Sequence, residues 1–253
     1  MRRARLGLAA AMAAGVVLLS AIPASAAPGD GSAYGADVDV SLLGQPAVQV
    51  GPLAAASTEG PATSTLVGID VPGIASSGTV QTSAERDETT GAVDSKATVE
   101  DLSVGVLGAL GTIKADAVTA ECHATQDGNA GSATLAGLNL GVLGTVGANP
   151  AANTVVNVGA LGVNVASITF NEQISNPDGS LTVNAIHVRL LGGVIGSLGS
   201  GDVVVSSATC GPAGLPVPLA SGAGMWIGLG LLTAIGVPAG VWFSRRRADA
   251  HAV

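Results

Sequence analysis

The residues best suited to chemistry are two histidines, two cysteines and two closely spaced aspartates: His123, His187, Cys122, Cys210, Asp37 and Asp39. Cys122 and His123 are neighbours, a pairing that could place a thiol beside a base or begin a metal site. No Cys-x-x-Cys or His-x-x-x-His spacing supplies further ligands, so no metal and no cofactor is expected. Two cysteines in an oxidising compartment read as one disulfide. A Cys122–Cys210 bridge would close a loop of roughly 90 residues, worth about 4–5 kcal/mol in the chain-entropy description. Asp37 and Asp39 share one strand face, but no calcium-loop pattern surrounds them, so a solvated edge is expected. No serine lies in Gly-x-Ser-x-Gly, and glycine runs such as "GALGTIK" lack the Gly-Lys-Ser/Thr that cradles phosphate. The residues capable of chemistry form no recognisable catalytic set, and a non-enzyme is expected.

Composition narrows the classes further. Between residues 27 and 215 there are 17 Asp or Glu against four basic residues, Arg86, Lys96, Lys114 and Arg189, a difference of −13; the whole chain carries −8. A field of that sign repels phosphate backbones, so nucleic acid is excluded as a partner. The same stretch has two aromatic residues, Tyr34 and Phe170. Its core must be aliphatic, and it lacks the flat platforms on which sugars stack.

The elements that would hold these residues are strands. Three segments, "ATVEDLSVGVLG" at 97–108, "ATLAGLNLGVLG" at 133–144 and "LTVNAIHVRLLG" at 181–192, share one apolar pattern. Each contains a three-residue step, Val99 to Leu102, Leu135 to Leu138 and Val183 to Ile186, within an otherwise two-residue period. An inserted residue would keep both apolar positions inward, so the pattern predicts β-bulges at Glu100-Asp101, Ala136-Gly137 and Asn184-Ala185. A strand-like run precedes each repeat and ends in a turn signal: "ETTG", "DGNAG" and "SNPDG". "ADVDV" reads as a first strand, 54–64 as loop, and 65–80 is ambiguous. In this alternation the polar turns collect at one end, with Cys122 and Cys210, and the Gly-Leu phrases collect at the other. The two cysteine strands run the same way, so the bridge is expected to join facing sheets. The fold class expected is all-β, an antiparallel sandwich or partly closed barrel built from hairpins. His187 falls between inward Ile186 and Val188 and is expected to be outward and solvated.

The ends of the chain point to the membrane. "MRRARLGLAAAMAAGVVLLSAIPASA" has the basic, apolar and small-residue regions of a secretory signal, giving residues 1–26 as a signal peptide. Residues 225–243 are apolar and uncharged, and 19 residues at about 1.5 Å each span roughly 28 Å, enough for one transmembrane helix. Trp226 and Trp242 would lie at the two interfaces, and Arg245, Arg246 and Arg247 would hold the tail 244–253 in the cytoplasm. The chain then divides into an extracellular β-domain at 27–210, a Pro/Gly linker at 211–224, the helix and the basic tail. "LASG" at 219–222 lacks the threonine of a sortase signal, so a retained helix is favoured over wall attachment.

Taken in order, "SAYGADVDVSLLGQPAVQVGP", "ADAVTAECHAT", "GSATLAGLNL", "SITFNEQISNPDGSLTVNAIHVRLL" and "GDVVVSSATCG" resemble the choice-of-anchor P family of actinobacterial surface proteins. The resemblance spans roughly residues 32–211 and implies an exported domain with a C-terminal anchor. It implies no activity and no functional residues. The expected function is a non-catalytic, membrane-anchored cell-surface protein with a structural or contact role at the bacterial envelope. Its partners would be the lipid bilayer and an envelope polymer or another surface protein. The Gly-Leu connections would either plug one end of the sandwich or form an apolar contact tip at Leu107, Leu110 and Leu143. The alternatives are binding of a small apolar molecule in a β cavity and, after that, an extracellular hydrolase.

Overall fold

The computed structural model describes residues 29–42, 47–160, 162–192 and 199–214. The chain starts in one sheet with β1 (Gly31–Leu42), β2 (Val48–Leu53) and β3 (Ala56–Ser57). It then builds a second sheet from β4 (Thr63–Leu66), β5 (Ile69–Val71), β6 (Ala75–Ser77), β7 (Val80–Arg86), β8 (Val93–Val104), β9 (Ile113–Thr125) and β10 (Gly128–Ala136). It returns to the first with β11 (Thr154–Ala160), β12 (Val163–Ser175), β13 (Leu181–Leu191) and β14 (Gly199–Cys210). The first sheet runs β11-β12-β13-β14-β1-β2, with β3 also on β1. The second runs β10-β9-β8, with β6 and β7 end to end along β8, β5 on β6 and β4 on β7. All pairings are antiparallel, and the two sheets remain separate, so this is an open sandwich and not a barrel. The short strands β3–β6 occupy the stretch read as loop or ambiguous from sequence.

Alternation explains the strands. In β8, Val93, Ala97 and Val99 point inward while Asp94 and Lys96 face solvent. That two-residue period buries one face of each sheet. The core is aliphatic around a single aromatic: Phe170, Ile168, Ile186 and Val38 of the first sheet and Val80, Val99 and Leu135 of the second are fully buried. Missing side chains bring the layers together at three places, one of them Gly31, where a Cβ would collide with Val93 and Ser95. A Cβ on Gly35 would collide with Val80, and one on Gly131 with Val183. Among the described residues the only helical turns are 3-10, Gly108–Leu110 and Gly141–Leu143, and no helix is long and apolar enough to cross a membrane.

The three-residue steps are present, but they are not bulges. Glu100 stands opposite Ala117 and Leu102 opposite Ala115, so no residue is inserted. Ala136 faces Ala117 and Asn139 faces Lys114, again in register. Asn184 faces Glu172 and Ser207, while Ile186 faces Phe170 and Val205. The slip is shared by neighbouring strands at one level, which removes the need for an extra residue. Gly78, Asp101, Asp116 and Gly137 form that level in the second sheet, and Gly35, Ser206, Ala185 and Asn171 form it in the first. Alternate strands take it through left-handed backbone: Asp101 (φ 49°), Gly137 (φ 63°), Asn171 (φ 49°) and Ser206 (φ 58°). Gly, Asn and Asp tolerate that region better than other residues.

The polar turns and Gly-Leu connections lie at opposite ends, as the direction of the strands requires. Cys122 of β9 and Cys210 of β14 form a disulfide between the sheets, 5.6 Å apart at Cα, at the polar-turn end. Beside it, the chain after Cys210 is held to the body. Gly29 N–H donates to Pro212 (2.7 Å), Gly211 N–H to Asp30 (2.7 Å) and Gly214 N–H to Gly91 (2.9 Å), and Gln126 Nε2 donates to the Gly214 carbonyl (2.7 Å). Residues 211–214, expected to open the linker, therefore belong to the sandwich. The segments read from sequence as signal peptide (1–26), the rest of the linker, membrane helix (225–243) and basic tail (244–253) lie outside the described residues.

Candidate functional site

The densest polar cluster sits on the outer face of the first sheet, where β12, β13, β14 and β1 lie side by side. His187 of β13 does face outward, between fully buried Ile186 and Val188, but it is not solvated: the residue is 8% exposed. Its Nδ1 lies 2.8 Å from Glu172 Oε2 on β12, and its Nε2 lies 2.8 Å from Asp202 Oδ1 on β14. Both contacts are to carboxylate oxygens, an arrangement that favours the imidazolium, which donates from both nitrogens. Asn184 Nδ2 donates to the same Glu172 oxygen (2.7 Å), and Arg189 Nε to the same Asp202 oxygen (3.0 Å). Glu172 reaches the outer face because Asn171, one residue earlier, takes the left-handed step.

Burial works against the charge on His187, but the hydrogen bonds and charges of Glu172 and Asp202 outweigh it and raise its pKa above the usual 6.5. The His187 hydrogen bond lowers the Glu172 pKa against the opposing effect of burial, with Asn184 and Arg189 assisting. Next along the face, burial raises the Tyr34 phenol, as do the charges of Asp37 and Glu172. Asp37 is raised by burial and by Asp39. Asp37 and Asp39 do not lie on an edge: β1 has β14 on one side and β2 on the other. Asp39 accepts from Gln49 Nε2 at 3.2 Å. Among the described residues no group of three or more His, Cys, Asp or Glu is arranged to hold a metal.

What this cluster does chemically is hold a proton in place. With both nitrogens bonded to carboxylates, His187 has no lone pair for a hydroxyl, and no described serine hydrogen-bonds to it. His123 lies elsewhere, exposed on the second sheet, with Nδ1 on Asp94 across the β8–β9 pair. Its neighbour Cys122 is in the disulfide, so the adjacent thiol and imidazole do not form a reactive pair. Glu172, His187 and Asp202 instead clasp β12, β13 and β14 from outside. Asn184 Oδ1 remains buried without a hydrogen-bond partner among the described residues.

A second polar element crosses the core. Ser206, fully buried on β14, accepts a hydrogen bond from Ala120 N–H (3.0 Å) and donates one to the Ala97 carbonyl (2.8 Å), reaching between β8 and β9 of the opposite sheet. The alanines opposite leave room for it.

The Gly-Leu connections fold inward where they are described. Leu107 is 0% exposed, which removes it from any contact tip, and Leu110 and Leu143 are half-buried against the core. Leu143 also packs beside Gly111, joining the first connection to the second. Val142 is the exposed member, at 88%. The middle of the third connection, residues 193–198, lies outside the described residues, as do Trp226, Trp242, Arg245, Arg246 and Arg247.

Sequence patterning found His187 but missed Glu172, Asp202, Asn184 and Tyr34. The "SNPDG" turn fixes the β12–β13 register and so places Glu172 opposite Asn184, three rows from His187's own level. Reading that register from the turn would have exposed the pair. The β14 partner depended on a connection whose length gives no register.

The fold and the cluster together define an antiparallel β-sandwich tied by one inter-sheet disulfide and clasped on one outer face by a carboxylate–imidazolium–carboxylate bridge. No family model, curated protein or solved structure matches the chain.

Proposed function

We propose that this chain is a non-catalytic, membrane-anchored cell-surface protein whose exported sandwich has a structural or contact role at a bacterial envelope. The observation that carries this reading is the Cys122–Cys210 bridge between the sheets, because such bonds persist in oxidising compartments and not in the cytosol. The export signal read at 1–26 and the apolar stretch at 225–243, with Trp226 and Trp242 at its ends and Arg245, Arg246 and Arg247 behind it, agree with that compartment. So does the resemblance to choice-of-anchor P proteins. The alternative of an internal apolar ligand finds little room in the cleft that the described residues form between the layers. The cleft lined by Ile69, Ala75, Val99, Leu102 and Val203 holds about 10 Å³, against roughly 300–1,000 Å³ for ordinary ligand pockets.

The anchoring is tested in cells by fractionation and external protease. The full chain is expected in the membrane pellet with its body digestible from outside, and a chain ending at residue 224 is expected in the medium. Recovery of the full chain in the cytosol with both thiols alkylatable would end the proposal.

A further inference from the structure

Where the chain leaves its last strand, it crosses from one layer to the other. Cys210 ends β14 in the first sheet. By Gly214 the chain is bonded to two turns of the second sheet: Gly214 N–H donates to the Gly91 carbonyl (2.9 Å) in the turn after β7, and the Gly214 carbonyl accepts from Gln126 Nε2 (2.7 Å) in the turn after β9. Gly211–Gly214 therefore spans the gap between the sheets at the polar-turn end, directly beyond the disulfide that spans it inside. Gly211 is buried, and Pro212 packs towards Gly179 in the turn after β12.

Beneath this strap Cys122 is 1% exposed and Cys210 0%, so a reagent in solution reaches neither sulfur in the closed form. Thiol–disulfide exchange needs a thiolate in contact with a sulfur atom, and a buried bond must first be uncovered. The strands themselves are slow to release it, because β14 lies between β13 and β1 and Cys210 is in register with Leu181 on one side and Gly31 on the other. The strap is held by a few hydrogen bonds, to Gly29, Asp30, Gly91 and Gln126, and segments held so lightly open before the body unfolds. The reduced pair also has a place in this fold: the Leu181 carbonyl lies 3.2 Å from Cys122 Sγ and would accept the hydrogen of a thiol there.

We propose that Gly211–Gly214 is a movable strap over the Cys122–Cys210 bond, and that the bond exchanges with an external dithiol only when the strap is lifted. One thiolate of the dithiol attacks a cysteine sulfur, the S–S bond breaks, and the other cysteine leaves as a thiolate. The second thiol of the reagent then resolves the mixed disulfide. Two electrons pass to the cysteines, which take up two protons, and the dithiol becomes a disulfide. This device works wherever the chain is anchored, so its test is separate from that of the proposed function.

The test follows reduction of the bond by dithiothreitol in the full chain, in mild detergent without denaturant, by alkylating the released thiols. Gln126→Ala removes one bond from the strap and is expected to speed reduction about threefold to tenfold, with the thermal unfolding midpoint retained. Gly91→Ala drives a Cβ into the Gly214 carbonyl and is expected to speed it further. Leu107→Ala, which weakens the opposite end of the body, is expected to leave the rate unchanged, because lifting the strap does not require unfolding. A wild-type bond reduced as fast in native buffer as in urea, a Gln126→Ala rate equal to the wild type, or rates that track the unfolding midpoint across all three variants would each overturn the proposal.

Discussion

Ser206 carries an unusual combination for a residue in the middle of a sheet: full burial, φ of 58° and two hydrogen bonds to the opposite layer. The two bonds offset the backbone cost, and they give Ala97 and Ala120 a shared polar partner. Ser206→Ala is expected to destabilise the body by about 1–3 kcal/mol, because buried polar groups lose a partner that water cannot replace. Urea unfolding of the two proteins measures it, and equal midpoints would show that the bridge contributes nothing. His187 makes a different prediction, in pH. Its folded pKa is raised, so its contribution is complete below the unfolded value of about 6.5 and is lost as pH rises through the folded value. The folded pKa of Glu172 is lowered, so its contribution is present above the unfolded value of about 4.3 and is lost as pH falls through the folded one. The bridge therefore works best between those two unfolded values. Thermal unfolding should weaken on the alkaline side in the wild type, and His187→Gln should flatten that limb. An identical pH profile in the variant would contradict the assignment.

At the scale of elements, the Gly-Leu connections act as an end plug, and its residues should differ in importance as their burial differs. Leu107→Ala is expected to cost about 2–5 kcal/mol, whereas Val142→Ser should stay within about 0.5 kcal/mol. Chemical denaturation ranks them, and a tolerated Leu107→Ala would mean that the plug is dispensable. Much of this level was legible beforehand. The hairpins followed from "ETTG", "DGNAG" and "SNPDG", and the opposition of turns and Gly-Leu phrases followed from strand direction, as did the inter-sheet bridge. The bulges were misread for a physical reason. The step from Ala115 to Val118 on β9 matches the step from Val99 to Leu102 on β8, but alanine gives little sign of inwardness, so the partner's slip was invisible. The same blind spot hid Glu172, which the slip at Asn171 turns outward. The short strands β3 to β6 were missed because two to four residues do not establish a period.

At the scale of the whole molecule, the described N- and C-terminal segments meet at the polar-turn end, where Gly29 bonds to Pro212 and Gly214 to Gly91. The plugged end lies at the other extreme. With the anchor read at 225–243, the polar turns would face the membrane and the Gly-Leu end would point away from it. An apolar tip at Leu107, Leu110 and Leu143 would then stand far from its own bilayer. The placement of the disulfide has a mechanical consequence. Cys210 closes β14, so under the proposed anchoring a pull on the chain beyond it would reach this bond before it could unzip β14 from β13 and β1. Load entering one sheet is passed covalently to β9 of the other, and the sandwich resists a pull as one block instead of being peeled strand by strand.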